Sequence, residues 1–377
     1  MRVIIIGAGV AGLSIGWRLL QAGAEVVVLE RAQPGHGATW ASAGMIAVTG
    51  ENGDAETPDA KFARYSGSLW PAFAAEIEAA SGRSIAYRSD GALMVAKDEQ
   101  AAAAYAARAD ASGGKAKFLS ARDACALEPL LAPDIAGALY DPGEAQVDNR
   151  ALGAALTAAF LRAGGKLLAY ETVYRVDVWE NRVTGVVTPF AKYHGDAFIL
   201  AAGAWTSRID GLPADAMPPV VPVKGEMIAL APPDTAALPK RIVWGNEIYL
   251  VPRRDRLLVG ATMSNEGFDT AETEAAATWL QSHAAGVMPA LGEWEIAEHW
   301  AGLRPGSPDN LPILGETALK GLFVAGGQFR NGILFAPAIA EALSSLVLGR
   351  APPYSIAAFN PMRFGDQALL AKAGATG

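Results

Sequence analysis

Three glycines near the start of the chain have the spacing that binds a dinucleotide phosphate. Residues 3–12 read Val-Ile-Ile-Ile-Gly-Ala-Gly-Val-Ala-Gly, an apolar run followed by G-x-G-x-x-G at Gly7, Gly9 and Gly12. In such a turn Gly7 allows the tight bend, Gly9 lets the backbone approach a pyrophosphate, and Gly12 lets the helix pack closely on the strand. The N–H groups at the start of that helix then receive the phosphates.

An acidic residue follows at the distance expected for a ribose contact. The apolar run 26–29 ends at Glu30, 18 residues beyond Gly12. A carboxylate at this point of a strand, turn, helix, strand series binds a ribose hydroxyl. The order of these elements makes the glycine motif much more specific than it would be alone.

A second glycine-rich segment, at 324–334, lies more than 300 residues away and indicates that the cofactor is contacted from both ends of the chain. Pro337 suits the first turn of a helix, whose positive end would then face this segment. A reduced flavin carries negative charge that such a helix would stabilise, whereas a nicotinamide has no need of it. The small residues of 38–45 and the apolar run 198–205 suit backbone packing against a flat ring, so the pattern favours flavin.

Together these segments resemble the D-amino acid oxidase family of FAD-dependent amine oxidoreductases, and within it the glycine oxidases of the thiamin-pathway type. The resemblance runs nearly end to end. It is most specific at 300–306, Trp-Ala-Gly-Leu-Arg-Pro-Gly, and at 329–334, Phe-Arg-Asn-Gly-Ile-Leu. It implies hydride transfer from the substrate's α-carbon to flavin N5, followed by hydrolysis of the imine.

The resemblance also assigns substrate-binding roles. Arg304 would clamp the substrate carboxylate, for which the two parallel N–H donors of a guanidinium are well suited. Tyr249 would donate a second hydrogen bond to that carboxylate, Arg330 would lie near the flavin and the substrate amine, and Met263 would wall the pocket. Glu247 stands where the glycine oxidase pattern has histidine. As a pocket residue it would favour a basic, secondary or larger amine; the alternative is a solvated acid at a strand start.

The predicted FAD contacts are spread along the chain and are noncovalent. Relatives that tether flavin do so through a histidine, and Ala41 stands at that position, while His36 lies upstream in a glycine-rich turn. The predicted cofactor residues are Gly7, Gly9, Val10, Ala11, Gly12, Glu30, Arg31, Ala38, Thr39, Ala43, Gly44, Met45, Val173, Ala202, Gly203, Trp205, Gln328, Phe329, Arg330, Asn331, Gly332, Ile333 and Leu334.

Composition limits the partners. A formal net charge of −8 argues against a nucleic-acid partner, which would require a basic surface. The single cysteine, Cys125, excludes an intrachain disulfide and fits a reducing cytoplasm. The four histidines are scattered without ligand spacing, so no metal site is predicted. The apolar stretch 332–348 contains Pro337 and Glu341 and predicts a buried helix rather than a membrane span. A homo-oligomer is left open.

The motif order predicts an α/β protein in which a Rossmann-like FAD-binding domain of the glutathione-reductase type is interleaved with a substrate domain. The FAD-binding domain is predicted at 1–80, 145–212 and 300–365, the substrate domain at 81–144 and 213–299, and a tail at 366–377. The substrate domain should contain a mixed, largely antiparallel sheet, with strands at 85–88, 92–95, 220–223, 227–230, 248–251 and 257–260.

Three functions fit the sequence. The first is an FAD-dependent oxidase of glycine, sarcosine or small D-amino acids that uses molecular oxygen and produces hydrogen peroxide. The second is a dehydrogenase of similar substrates that passes electrons to a quinone or a carrier. The third is a flavoprotein that acts on a non-amine or RNA partner, against which the acidic charge counts.

Overall fold

The computed structural model describes residues 1–50, 55–233 and 238–365. Its helices are α1 (Val10–Gln21), α2 (Ala38–Ala41), α3 (Pro58–Ser81), α4 (Glu99–Ala111), α5 (Ala121–Leu127), α6 (Asn149–Arg162), α7 (Glu274–Val287) and α8 (Ala336–Val347). Its strands are β1 (Arg2–Ile6), β2 (Glu25–Glu30), β3 (Met45–Ile46), β4 (Ala92–Ala96), β5 (Lys117–Leu119), β6 (Gly137–Asp141), β7 (Ala145–Gln146), β8 (Lys166–Ala169), β9 (Arg175–Trp179), β10 (Arg182–Val187), β11 (Lys192–Tyr193), β12 (Ala197–Leu200), β13 (Val221–Ala231), β14 (Ile242–Gly245), β15 (Ile248–Pro252), β16 (Leu257–Gly260), β17 (Glu295–Gly306), β18 (Ile313–Glu316) and β19 (Leu322–Gly326).

The glycine motif follows the carboxyl end of β1, an interior strand of a six-stranded sheet of order β18-β19-β12-β1-β2-β8. Its described pairings are parallel except β18 with β19. Side chains of β1 alternate between two buried faces, as the period of a strand requires. Val3 and Ile5 pack in a core with α1, α3, α6 and α8, whereas Ile4 and Ile6 pack against strands β9 and β10 of a three-stranded sheet. Burial on both faces explains the uninterrupted apolar run.

A second sheet of eight strands has the order β17-β13-β16-β15-β14-β4-β6-β5. Its described pairings are antiparallel except β14 with β4, which is parallel. Helix α7, capped by the Thr273 side chain, covers one face. The other face carries Met227 and Trp300, which pack near Ala43 and Trp40 of the segment that follows β2. The predicted fold class, an α/β protein with a mixed, largely antiparallel second sheet, is confirmed.

The chain passes repeatedly between the two sheets. The six-stranded sheet draws strands from 2–30, 166–200 and 313–326, and β17 continues in the eight-stranded sheet to Gly306. The exact domain bounds remain a prediction. The strand predicted at 85–88 was wrong: only Arg88 forms an isolated bridge, with Gln146. The predicted strands 220–223 and 227–230 fall, except for Val220, in the single strand β13. The predicted tail at 366–377 lies outside the described residues.

Candidate active site

A cavity of about 700 Å³ opens at the carboxyl ends of β1 and β12 and extends to the face of the eight-stranded sheet. Residues from both ends of the chain line it, from Ile6 to Ile333. Of the predicted cofactor residues, those that line it are Gly7, Gly9, Val10, Ala11, Glu30, Arg31, Ala38, Thr39, Ala43, Gly44, Met45, Val173, Ala202, Gly203, Trp205, Gln328, Phe329, Arg330, Gly332 and Ile333. We call this the first cavity.

The three motif glycines have different local environments. Gly7 has a φ of +107°, and a β-carbon there would lie 2.3 Å from the Ala201 carbonyl oxygen. A β-carbon on Gly12 would lie 2.0 Å from the Gly7 carbonyl oxygen, so both glycines are required by close backbone packing. A β-carbon on Gly9 would meet only the Thr39 hydroxyl, at 3.5 Å. Gly9 therefore borders open cavity, as an approach to a pyrophosphate requires.

The carboxylate of Glu30 is held by two backbone N–H groups in the wall of the first cavity. One oxygen accepts a hydrogen bond from the Ala8 N–H at 2.7 Å and the other from the Ala32 N–H at 2.9 Å. Arg31 lies with its guanidinium carbon 3.5 Å from the centre of the Trp205 ring. Burial lowers the pKa of Arg31, although the neighbouring Glu30 charge opposes this effect.

Three predicted cofactor residues do not line the first cavity: Gly12, Asn331 and Leu334. Gly12 serves the packing of α1 on β1. The Leu334 side chain is 1% exposed in the core, and its carbonyl oxygen accepts hydrogen bonds from the Ser66 hydroxyl and the Trp70 indole. Asn331 donates its backbone N–H to the Gln328 carbonyl and shapes the turn before α8.

The Gln328 side chain shows whether the first cavity suits a flavin, a flat ring with hydrogen-bonding edges. Its side chain is 6% exposed, and its amide nitrogen has no hydrogen-bond partner among the described residues. A buried donor without a partner costs about 1 to 3 kcal/mol, so a ligand acceptor is expected opposite it. With the open space beside Gly9, this donor makes the first cavity suitable for FAD.

The sequence did not indicate the structural role of Arg253. This arginine lies in the loop between β15 and β16, is 9% exposed, and donates to the carbonyl oxygens of Ala43 and Val147 and to Gln146. Burial lowers its pKa to about 10. Arg253 thereby fixes the loop around Gly44, which lines the cavity. Its partners lie more than 100 residues away in sequence, so no local signal marked it.

A stacked group of aromatic and charged side chains fixes α2, and it was also missed. The guanidinium carbon of Arg150 lies 3.8 Å from the centre of the Trp40 ring, and the same group forms a bidentate ion pair with Glu298 at 2.6 and 3.0 Å. The Trp300 indole N–H donates to the Ala41 carbonyl oxygen at 2.9 Å. The position of Ala41 beside β17 is therefore set from the eight-stranded sheet.

A second cavity, of about 650 Å³, adjoins the first. All five residues predicted to bind substrate line it: Glu247, Tyr249, Met263, Arg304 and Arg330. Tyr249, Arg304 and Arg330 line both cavities, so these three side chains stand at the boundary between them. A substrate in the second cavity would meet a cofactor in the first at this boundary.

Two glycines make room for the predicted carboxylate-binding pair. A β-carbon on Gly225 would lie 2.1 Å from the Arg304 guanidinium, and one on Gly260 would lie 2.5 Å from the Tyr249 ring. Arg304 donates to the carbonyl oxygens of Lys224 and Thr262, at 3.2 Å each. These bonds hold the half-buried guanidinium in place.

The other three predicted side chains are exposed. Met263 is 65% exposed, and Arg330 and Glu247 are also exposed. Asn246 and Glu247 have φ of +51° and +66° and form the two-residue turn between β14 and β15. Glu247 therefore belongs to a tight hairpin turn at the rim of the second cavity.

Within the described parts of the chain, no helix is long and apolar enough to cross a membrane. Nor do three or more His, Cys, Asp or Glu side chains come together as metal ligands in 1–50, 55–233 or 238–365.

The family described as FAD dependent oxidoreductase, DAO, matches residues 2–346. With the glycine motif and the cavity at the carboxyl edge of its sheet, the chain belongs to this family, and its cofactor is FAD. The predicted family is confirmed.

Within the family, the chain is similar to named glycine oxidases. It is 34% identical over 363 residues to glycine oxidase from Pseudomonas aeruginosa, covering 96% of this chain and 98% of that protein. Its structure is similar to that of glycine oxidase from Geobacillus kaustophilus, with a TM-score of 0.89, 32% identity, and coverage of 96% and 99%. It is also 34% identical over 369 residues to the bifunctional protein ThiO/ThiG of Trichormus variabilis, covering 97% of this chain. The chain spans about half the length, 55%, of that bifunctional relative.

Proposed function

We propose that the protein oxidatively deaminates amino acids such as glycine, sarcosine or small D-amino acids, with oxygen as electron acceptor. The observation that carries the proposal is the boundary formed by Tyr249, Arg304 and Arg330 between the two cavities. The similarity to glycine oxidases supports the same reaction class. The overall reaction consumes amino acid, water and oxygen and yields oxo acid, ammonia or amine, and hydrogen peroxide.

The substrate carboxylate would bind to Arg304. Two of the Arg304 hydrogen bonds go to neutral carbonyl oxygens, so its positive charge remains available to a carboxylate. A guanidinium binds a carboxylate through two parallel N–H donors and so fixes its orientation. Tyr249, packed over Gly260, would add its hydroxyl to the same carboxylate.

Orientation is the main contribution that these side chains make. Bound FAD supplies the acceptor for the hydride that leaves the substrate α-carbon and passes the two electrons on to oxygen. Arg304 and Tyr249 would hold the carboxylate so that the α-carbon faces the first cavity, and such positioning can supply much of the rate enhancement. Arg330 would lie near the flavin, on the amine side of the substrate.

We also propose that residues 1–80, 145–212 and 300–365 form the FAD-binding domain, with the substrate domain at 81–144 and 213–299. The order of the six-stranded sheet supports this division, since its strands come from those three stretches. FAD would be bound without a covalent bond, because Ala41 offers no nucleophile. Acid precipitation should leave the flavin in the supernatant; flavin that stays in the washed pellet would contradict this.

The proposed reaction is tested by mixing the purified holoenzyme with glycine, sarcosine, D-alanine or D-proline without oxygen. Loss of flavin absorbance identifies an amino acid that is oxidised, and admission of air then measures the rate of reoxidation. Fast reoxidation with stoichiometric hydrogen peroxide is expected. Slow reoxidation by air but fast reoxidation by a quinone would show that the enzyme is a dehydrogenase rather than an oxidase. A flavin that no amine reduces would refute the proposed function.

A further inference from the structure

The second cavity is larger than the smallest amino acids require. At about 650 Å³ it lies in the range of sites that hold much larger ligands. Glycine bound at the boundary, with its carboxylate on Arg304, would leave most of this volume unused. The remaining space lies on the side of the substrate away from the first cavity, where a side chain or an N-substituent would extend.

Aromatic side chains form much of the wall beyond the boundary. Tyr105 comes from α4, Trp244 from β14 and Trp279 from α7. Trp244 and Tyr249 pack edge to face with centroids 5.5 Å apart, so the aromatic wall reaches the carboxylate-binding pair. Aromatic faces attract cations through their negative quadrupole and also provide apolar contact area.

Positively and negatively charged side chains lie in different parts of the second cavity. Among the described residues that line it, the charged ones are Arg304 and Arg330 at the boundary and Glu247 on the hairpin turn. The turn geometry, with positive φ at both Asn246 and Glu247, fixes the backbone from which this carboxylate projects. The cavity therefore has a cationic end that suits a carboxylate and an aromatic wall with an acid at its rim.

We infer that the second cavity selects amino acids that carry a second positive charge on a long side chain, so that basic amino acids are the preferred substrates. The α-carboxylate would pair with Arg304, the aliphatic chain would contact the aromatic wall, and the terminal ammonium or guanidinium would face Glu247. This inference rests on the proposed function, because the proposed function places the α-carbon at the cavity boundary. The inference adds a specificity-determining role for Glu247.

The first experiment compares D-lysine with D-norleucine, which has the same chain length but no terminal charge. Flavin reduction is followed under anaerobic conditions, giving a limiting rate and an apparent Kd for each amino acid. D-lysine should have the lower apparent Kd, by roughly 3- to 10-fold, the range expected for an exposed ion pair combined with a cation–π contact. Glu247→Gln should abolish that advantage without changing the result for D-norleucine, and the control Glu293→Gln, an exposed acid outside both cavities, should preserve it.

A second measurement does not depend on turnover. ε-Aminocaproate and caproate each carry a carboxylate but have no α-amine to oxidise, and only the former has a terminal ammonium. Their binding to the oxidised holoenzyme is measured by isothermal titration. ε-Aminocaproate should bind roughly 3- to 10-fold more tightly, and Glu247→Gln should make the two ligands equal within about 2-fold.

The outcomes separate the inference from the proposed function. Reduction of the flavin by glycine or D-alanine, with equal binding of the charged and neutral ligands, would overturn the inference and leave the proposed function intact. Tighter binding of caproate and D-norleucine would show that the second cavity selects a large apolar side chain rather than a cation, and would also overturn the inference. Preferential binding of ε-aminocaproate without reduction by any amino acid would refute the proposed function but retain the charge selectivity.

Discussion

Replacing Arg304 by alanine should separate substrate binding from cofactor binding. The Arg304 guanidinium is half-buried and is held by the carbonyl oxygens of Lys224 and Thr262 at 3.2 Å each. Without it, the substrate carboxylate would enter the boundary between the cavities unpaired. Truncating one partner of such a pair costs about 2 to 5 kcal/mol, or roughly 30-fold to several thousand-fold in kcat/KM. FAD should remain bound, because the glycine motif and Gln328 are unchanged.

A second substitution tests the position of the guanidinium without removing it. In Gly225→Ala, the new β-carbon would lie 2.1 Å from the nearest Arg304 nitrogen, whereas ordinary contact begins at 3.4 Å. The end of a flexible side chain can move away, so β13 should still fold, but the guanidinium must shift by about 1 Å or more. A misplacement of this size costs about 10²-fold in rate. Gly292→Ala is the matched control, because its β-carbon would meet Ala285 at an ordinary 3.4 Å.

The assay is kcat/KM for glycine and sarcosine, or for the amino acid that reduces the flavin fastest, beside the absorbance spectrum of bound FAD. An amine without a carboxylate should lose far less activity than the amino acids. If Arg304→Ala lowers kcat/KM by less than about threefold, the carboxylate site assigned to Arg304 and Tyr249 is wrong. If Arg304→Ala abolishes activity while Gly225→Ala matches the wild type, the guanidinium does not act from the position described here.

Three further outcomes are expected. Gly9→Val should give colourless protein, because its side chain would extend into the first cavity where FAD binds; a yellow protein at full occupancy would contradict the fingerprint interpretation. Glu30→Ala should weaken FAD binding by about 1 to 3 kcal/mol, measured by fluorescence titration, and unchanged affinity would mean that the carboxylate only serves the Ala8 and Ala32 amides. Burial raises the pKa of the Glu144 carboxyl from 4.5 to about 7, because the charged form is disfavoured inside the fold. The stability that goes with the neutral carboxyl is therefore fully present below pH 4.5 and is lost as the pH rises through 7. Glu144→Gln should therefore raise Tm at pH 8, by an amount corresponding to about 1 to 3 kcal/mol, with little change at pH 5; an equal effect at both pH values would contradict the shift.

The cofactor side of the site was largely predictable because its signals are local. Gly12 is required by its contact with Gly7 in the same turn, and Glu30 is reached through the next strand along the chain. Each element therefore carries its own sequence pattern. The segment at 324–334 was recognised by its own glycine pattern in the same way.

The walls and supports of the substrate side were less predictable. Tyr105 and Trp279 lie on helices whose sequences indicate only packing, and they reach the second cavity because the eight-stranded sheet places α4 and α7 beside the hairpin turn. The burial of Arg253 was not predicted, because arginine is rarely buried and its carbonyl partners are distant in the sequence. The run at 85–88 is not a regular strand because Ala86 has a φ of +50°, outside the extended region, and only Arg88 forms a bridge.

The first cavity, whose wall extends from Ile6 to Ile333, has a consequence for biosynthesis. A ribosome makes the glycine motif more than 300 residues before the segment at 324–334, which is expected to contact the flavin end of the cofactor. The nascent chain therefore cannot enclose the dinucleotide until that segment has emerged, even though its phosphate-binding turn is made much earlier. Cofactor retention then reports that the chain has been made through this segment and has assembled, and chains truncated before Gly326 should be made without colour.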